Sequence, residues 1–395
     1  MPINFDEIIE RRGTDSVKWD LFSTDILPMW VADMDFKVPE PITKALHKTV
    51  DHSVFGYTMD SKALRQTVVD RMKKLYDWDI DESWVVATTG LVSGFFAASN
   101  MLCKPGDGYL IQTPVYMPFN QIQDALGFIR QENPLTPIVD GNKLRYEMDW
   151  DNFNAAFHSD GHPTKMFLLC NPHNPIGKCF NREDLKRMAE KCVEEGSVIV
   201  SDEIHSELLL GDNIHIPIAS ISKEIEKNCI TLVSPSKTFN IAGLFCGFAI
   251  ISDDELRKSF RKTLDKMTLH VSGLSFVAAQ AAFSGDCDPW LGELKAYLTH
   301  NRDILVTYID TNLPSVITTI PEATYLGWLS FEDHMAKGTI GSDPSDFFLK
   351  KAKVVLNNGA AFGTGGEKFA RINFGCPTSL LNEGLGRIKN SLLKD

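Results

Sequence analysis

From about residue 60 to about residue 285, the chain alternates short apolar runs with longer stretches in which apolar residues recur at helical spacing. The short runs have the length of strands, and the longer stretches have the period of helices that bury one face. This alternation is typical of a mainly parallel sheet covered by helices on both sides, so we predict an α/β fold. Six runs are candidate strands: Trp84–Thr88, Gly108–Gln112, Lys165–Cys170, Val198–Ser201, Ile230–Val233 and Gly247–Ile251.

Two local features refine this prediction. Asn181 is a candidate N-cap of a helix with a regular apolar stripe, and Gly196 fits the position just after the end of that helix. The segment between Val233 and Gly247 is short for a helical crossover. The strand Gly247–Ile251 is therefore expected to run antiparallel to its neighbours.

The pattern changes after Gly285. A long helix is predicted from about Trp290 to Leu313. It is followed by two candidate strands, Thr318–Ile320 and Tyr325–Phe331, and by a second helix, Pro344–Asn357. This order predicts a smaller α+β domain. We therefore expect an N-terminal arm at residues 1–45 that contributes to the small domain and the active site, a large domain at residues 46–285 and a small C-terminal domain at residues 286–395.

Composition and charge exclude several classes of protein. The formal net charge is −12 and basic residues are not clustered, which argues against a nucleic-acid-binding surface. No apolar run has the roughly 20 residues of a membrane span, and the first ten residues contain no basic residue, unlike a signal peptide. The eight cysteines form no C-x-x-C pair and the ten histidines show no metal-ligand spacing. We predict reduced thiols in a cytoplasmic protein without a metal site.

Two loops that follow candidate strands have unusual residues. Thr88–Gly94 is a glycine-containing turn that opens a helix, and its backbone N–H groups suit a phosphate. Asn171–Gly177 contains two Asn-Pro steps, which fix the direction of the backbone. Each could also be only a turn. Because ligands bind at the carboxyl ends of strands in open α/β sheets, we expect these loops to meet in one crevice.

Two further loops supply charged groups at the same edge. Asp202 follows the apolar run Val198–Val200, where a carboxylate is costly unless it meets a positive partner such as a protonated pyridine nitrogen. Lys237 lies in Ser234–Asn240 between apolar segments. A desolvated lysine is a nucleophile that forms Schiff bases with pyridoxal phosphate. The alternative for Lys237 is a solvated surface residue, and His205 is equally a core histidine or a cofactor contact.

With these four loops, the chain resembles the fold type I pyridoxal-phosphate enzymes of the aminotransferase class I/II superfamily. Within that superfamily it is similar to the MalY/PatB-type carbon–sulfur β-lyases over essentially its whole length. The segments that carry the resemblance are Arg11–Asp20, Leu27–Phe36, Thr113–Phe119, Asn171–Gly177, Asp202–His205 and Ser234–Leu244. The first two favour this subgroup over aminotransferases in general.

The resemblance implies a role for each matching residue. Lys237, Tyr57 and Tyr116 would take part in catalysis, with Lys237 bonded to pyridoxal 5′-phosphate, Asp202 at the pyridine nitrogen, Asn174 at the ring oxygen and Tyr116 stacked on the ring. Gly90, Leu91, Val92, Ser234 and Ser236 would hold the phosphate, and Tyr57 would reach the phosphate of the other subunit of a homodimer. Arg371, Ala32 and Asn174 would bind the amino-acid substrate. Without the resemblance, Tyr57 and Tyr116 could be core aromatics and Arg371 a surface salt bridge.

The sequence departs from the aminotransferase pattern at two positions. Phe245 stands where many aminotransferases have an arginine for the phosphate, and His205 stands where they have a tyrosine. Binding of pyridoxal phosphate is still expected, but the residue roles of aminotransferases apply less directly to this chain. The resemblance implies α,β-elimination of L-cystathionine, L-cysteine or S-conjugates to a thiol, pyruvate and ammonia. The alternatives are transamination, and a related protein with an added regulatory binding role.

Overall fold

The computed structural model describes residues 3–393. Seven strands form the large sheet, which is parallel except for one strand that runs antiparallel to both neighbours. That strand is Gly247–Ile250, so the predicted antiparallel direction is confirmed. In spatial order the strands are Val85–Thr88, Gly247–Ile250, Cys229–Val233, Val198–Asp202, Thr164–Cys170, Gly108–Ile111 and Ile129–Glu132.

Helices cover this sheet on both sides, and their ends follow local sequence. The Asn181 side chain accepts a hydrogen bond from the Asp184 N–H, which confirms the predicted N-cap of the helix Arg182–Glu194. The other helices of four or more residues up to residue 283 are Val17–Asp20, Glu40–His52, Lys62–Tyr76, Leu91–Leu102, Met117–Leu126, Trp150–Ala156, Lys223–Lys227, Pro235–Thr238, Asp254–Lys266 and Gly273–Phe283.

A second sheet has six strands and contains most of the C-terminal strands. In spatial order these are Asn357–Asn358, Phe369–Asn373, Leu326–Ser330, Ile317–Thr319, Lys143–Glu147 and Thr136–Asp140. The last two form a hairpin that comes from the middle of the chain but pairs with Ile317–Thr319. The boundary at residue 285 stays a proposal, and residues 1, 2, 394 and 395 of the proposed domains lie outside the described residues.

One predicted element in the C-terminal region is wrong in its length. The helix that begins at Pro344 ends at Lys351 rather than at Asn357, because Lys353 has a left-handed backbone (φ 57°) that a helix cannot continue through. The next residues, Val354–Val355, form a short parallel pair with Leu27–Pro28 of the N-terminal arm. The other helices of this region are Asp288–Asn312, Glu332–Ala336 and Thr378–Leu392.

The described chain contains no helix that is both long and apolar enough to cross a membrane. All eight cysteines are free thiols, and seven of them are buried.

Candidate active site

A cavity of about 390 Å³ opens at the carboxyl ends of four parallel strands of the large sheet. The loops predicted to converge do so here, because parallel strands end at the same edge. Ten of the predicted site residues line the cavity: Ala32, Gly90, Leu91, Val92, Tyr116, Asn174, Asp202, His205, Ser236 and Lys237.

Asp202 is the last residue of the strand Val198–Asp202 and is buried. Within residues 3–393, the only hydrogen bond to its carboxylate comes from the Ile204 N–H, at 3.1 Å. Burial raises the pKa of the Asp202 carboxyl to about 7, since no cation lies within salt-bridge distance among those residues to offset the lost hydration. A bound cation would hold this carboxylate in its charged form.

Lys237 lies in the short helix Pro235–Thr238, and its Nζ donates a hydrogen bond to the Ala32 carbonyl at 2.6 Å. The pKa of Lys237 is lowered to about 8, because burial and the charge of Arg371 outweigh the opposing charges of Asp33 and Asp202. The alternative of a solvated surface lysine is therefore wrong. A larger fraction of the amine is neutral near pH 7 than for an exposed lysine.

The glycine-containing turn forms one end of the cavity. Gly90 has a left-handed backbone (φ 93°) and precedes the helix Leu91–Leu102, whose first N–H groups have no partner within the helix. Ser236 also lines the cavity, while Ser234 is buried behind it and donates to the Cys246 carbonyl at 2.6 Å. The structure thus brings four of the five predicted phosphate contacts to the cavity wall and places Ser234 behind Ser236.

Arg371 is buried in the strand Phe369–Asn373 and does not line the cavity. Its guanidinium donates to the Asn174 side-chain oxygen at 3.0 Å, to the Asn357 side-chain oxygen at 2.6 Å and to the Trp30 carbonyl at 3.0 Å. Burial lowers the pKa of Arg371 to about 10. The alternative of a surface salt bridge is wrong. Arg371 lies directly behind Asn174, with its Nε unpaired within the described chain.

His205 and Tyr116 flank Asp202 and Asn174 in the same cavity. His205 is buried, and burial lowers its pKa to about 3, so its ring is neutral. Its Nδ1 has no hydrogen-bond partner in residues 3–393, and its ring packs against Tyr325. Tyr116 is half-buried just before the helix Met117–Leu126, which excludes a fully buried core aromatic.

Tyr57 is the predicted site residue that lies away from this cavity. Its side chain is fully exposed, and it lines a separate cavity of about 590 Å³ together with Val54 and Phe55. The core-aromatic alternative for Tyr57 is wrong. Its predicted contact with the phosphate of a second subunit stays a prediction.

Two residues that were not predicted, Asn240 and Tyr325, hold the segment Ala32–Met34 against Lys237. Asn240 exchanges hydrogen bonds with the backbone of Met34, and the Tyr325 hydroxyl donates to the Ala32 carbonyl at 2.8 Å. Asn240 lies in the same loop, Ser234–Asn240, as Lys237, and this position could have indicated its role. Nothing local to Tyr325 indicated its role.

The N-terminal arm is held by buried charges. Lys18 pairs with Asp35 at 2.7 Å, and Arg11 pairs with Asp35 at 2.6 Å and with Asp33 at 2.9 Å. Since an uncompensated buried charge is strongly destabilising, these pairs restrict the path of the arm past the cavity. Other cavity-lining residues that were not predicted are Thr89, Ser93, Cys170, Ile204, Ala242, Phe245 and Cys246.

These groups fit pyridoxal phosphate by their chemistry. The Asp202 carboxylate, which has no cationic partner within the described chain, matches a protonated pyridine nitrogen, and the amine of Lys237 matches the aldehyde. The free N–H groups at Leu91 and Val92 and the Ser236 hydroxyl match the phosphate. The cavity volume, about 390 Å³, falls within the range of small-molecule sites.

Comparison with known proteins agrees with this chemistry. The family model described as aminotransferase class I and II matches residues 24–388. The chain belongs to this family. Cystathionine beta-lyase PatB of Bacillus subtilis (strain 168) is 40% identical to it over 99% of this chain and 100% of its own length.

Two solved structures have the same architecture. Cystalysin from Treponema denticola, which contains pyridoxal 5′-phosphate, superposes with a TM-score of 0.92 at 31% identity over 99% of both chains. The PLP-bound C-S lyase from Staphylococcus hominis superposes with a TM-score of 0.91 at 31% identity, covering 100% of this chain and 99% of its own. The predicted fold type I architecture is confirmed, and this aminotransferase-family protein is a pyridoxal-phosphate enzyme.

Proposed function

We propose that this protein is a carbon–sulfur β-lyase that cleaves the Cβ–S bond of L-cystathionine, L-cysteine or a cysteine S-conjugate. The observation that carries the proposal is that one cavity holds both the buried Asp202 carboxylate, which has no cationic partner among residues 3–393, and the Lys237 amine, whose pKa is lowered to about 8. The identity of 40% with a cystathionine beta-lyase along the whole chain supports this reaction over others of the family.

Pyridoxal phosphate, when bound, supplies an aldehyde that bonds the substrate amine and a ring that accepts the electron pair left at the α-carbon. Lys237 removes the α-proton in this proposal. With a pKa of about 8, its amine is neutral in a useful fraction of molecules near neutral pH and still basic enough to take a proton.

Asp202 keeps a proton on the pyridine nitrogen. Its burial makes the interaction with that proton strong, because little water competes for either group. Tyr116 lines the cavity with Asn174 and Asp202 and would orient the ring by apolar contact. Asn174 would donate its amide N–H to the ring oxygen, since its side-chain oxygen accepts from Arg371.

Arg371 holds the substrate carboxylate, with the Ala32 backbone beside it. Its guanidinium is fixed by Asn174, Asn357 and the Trp30 carbonyl, and its Nε is left without a partner in the described chain. A fixed, buried guanidinium binds a carboxylate with little loss of side-chain freedom. Departure of the thiolate from Cβ and hydrolysis by one water molecule then give pyruvate and ammonia.

We further propose a homodimer in which Tyr57 reaches the phosphate of the partner's site. The arm at residues 53–59 exposes Val54, Phe55, Tyr57 and Met59 by 66% or more. Adjacent exposed apolar side chains of this kind are typical of an interface.

The free thiols favour the cytoplasm as the compartment. We also propose the division of the chain into an N-terminal arm at residues 1–45, a large domain at residues 46–285 and a small domain at residues 286–395.

The decisive experiment incubates the purified protein with L-cystathionine and pyridoxal phosphate without any keto acid, and measures pyruvate. We expect pyruvate and free thiol in equal amounts. An aminotransferase would instead form no pyruvate and no free thiol from L-cystathionine, and its sustained turnover would require a keto acid. That outcome would replace elimination by transamination as the function.

A further inference from the structure

Phe245 has an unusual position and conformation for an aromatic residue. It follows the short turn Ala242–Leu244, has a left-handed backbone (φ 44°) and exposes 66% of its side chain. It also lines the cavity. Its Cδ1 atom lies 4.0 Å from the point that a β-carbon on Gly90 would occupy. Phe245 therefore stands beside the turn at which the phosphate is proposed to bind.

The groups around this turn carry no formal charge. They are the N–H groups at the start of the helix Leu91–Leu102 and the hydroxyls of Thr89, Ser93 and Ser236. Among the described residues that line the cavity, Lys237 is the only lysine or arginine, and its amine is engaged with the Ala32 carbonyl. The start of a helix supplies only about half a positive charge.

The basic residues considered next do not supply a full positive charge at this turn. Arg261 donates to the Val85 carbonyl at 3.1 Å, and Val85 is at the far end of the strand Val85–Thr88 from the cavity. The arm proposed to come from the partner, Ser53–Met59, contains no lysine or arginine. Its polar contribution at the phosphate is the Tyr57 hydroxyl.

We propose that this enzyme binds the cofactor phosphate through neutral donors alone, and that Phe245 determines this by occupying the place from which a basic side chain would reach the phosphate. The inference rests on the proposed function. A cationic donor adds direct charge–charge attraction to a hydrogen bond whose acceptor, the phosphate, is already charged. The phosphate of the bound cofactor should therefore keep its second proton up to a higher pH, and the cofactor should exchange more readily, than with a cation in contact with the phosphate.

The test compares Phe245→Arg with Phe245→Met, a neutral change of similar size, and with Val139→Arg, which adds the same charge on the edge strand Thr136–Asp140 away from the cavity. Arginine, like phenylalanine, carries a β-carbon, so the left-handed backbone is equally strained in the variant. Apo protein is titrated with pyridoxal phosphate and with pyridoxal, and binding is read from the visible absorbance of the lysine-bound cofactor.

We expect Phe245→Arg to lower the dissociation constant for pyridoxal phosphate by about tenfold or more and to leave that for pyridoxal unchanged. Phe245→Met and Val139→Arg should change neither. In the wild-type holoenzyme, the ³¹P resonance should shift with pH as the phosphate loses its second proton. In Phe245→Arg the midpoint should move to lower pH.

Two results would overturn the inference. One is a folded Phe245→Arg protein that binds pyridoxal phosphate no more tightly than Phe245→Met does. The other is a ³¹P titration whose midpoint is the same in Phe245→Arg as in the wild-type holoenzyme, which would mean that the side chain at position 245 does not reach the phosphate. A wild-type protein that shows no visible band with either compound would instead overturn the proposed function itself.

Discussion

The cavity around Asp202 and Lys237 is formed by residues of one chain, whereas the arm at residues 53–59 is proposed to act at the site of a second chain. Asp202 is fixed at a strand end, and Lys237 is fixed by the Ala32 carbonyl. The arm has no regular secondary structure, and Tyr57 is fully exposed. One chain therefore assembles the groups that move protons, whereas the proposed role of the arm needs a second chain. The predictions below test this difference.

The largest effect is expected for Lys237→Ala. The variant should lose all measurable pyruvate formation and the visible absorbance band, because no other lysine lines the cavity in the described chain. Thermal unfolding of the variant provides the control for its fold. A variant that keeps the band would show that another residue bonds the cofactor.

Asp202→Asn should retain the cofactor but lose about three orders of magnitude in kcat, since a neutral amide cannot keep the pyridine nitrogen protonated. The asparagine oxygen can still accept the Ile204 N–H, so the fold should be unaffected. Cofactor content and kcat are measured on the same sample. Wild-type turnover with full occupancy would remove Asp202 from the reaction.

The pH dependence of cofactor uptake tests the environment of Lys237. Its pKa is lowered to about 8, so the neutral, reactive amine should accumulate as pH rises through 8, not through the ordinary value near 10.5. The rate at which apo protein acquires the visible band should therefore rise about tenfold per pH unit below 8 and level off above it. Stopped-flow absorbance measures this. A midpoint near 10.5 would mean that the amine is exposed to water.

The smallest effect is expected for Tyr57→Phe, which removes one hydrogen bond to a charged phosphate. The dissociation constant for pyridoxal phosphate should rise about ten- to one-hundred-fold. Phe55→Leu, an apolar change on the same arm, is the matched control and should have little effect on this constant.

Subunit mixing tests whether Tyr57 acts across an interface. Lys237→Ala protein is mixed with an inactive Tyr57→Ala protein under conditions that allow subunit exchange. One site of each heterodimer would then have both wild-type residues, so activity should return. Absence of recovery with verified exchange, or a fully active monomer by sedimentation, would contradict the shared site.

The local sequence was sufficient to predict most strands of the large sheet and the loops at their carboxyl ends that line the cavity. The runs that became the strands ending at Cys170, Asp202 and Val233 were readable because they are short, apolar and bounded by loop residues. The hairpin Thr136–Glu147 was missed because its first strand is largely exposed and contains Pro137, and its second strand buries only Leu144 and Tyr146. The strand Phe369–Asn373 was missed although it carries Arg371.

The sequence by itself determined which residue types stand at the ends of the parallel strands, and hence the chemistry of Asp202, Lys237 and the turn at Gly90. Only the tertiary structure decided that Ala32 lies against Lys237, that Arg371 is buried behind Asn174 and that Phe245 stands beside Gly90. The physical reason is the range of the interactions. Strand runs and helix caps depend on neighbours within a few residues, whereas these contacts depend on how distant segments pack, which no local pattern specifies.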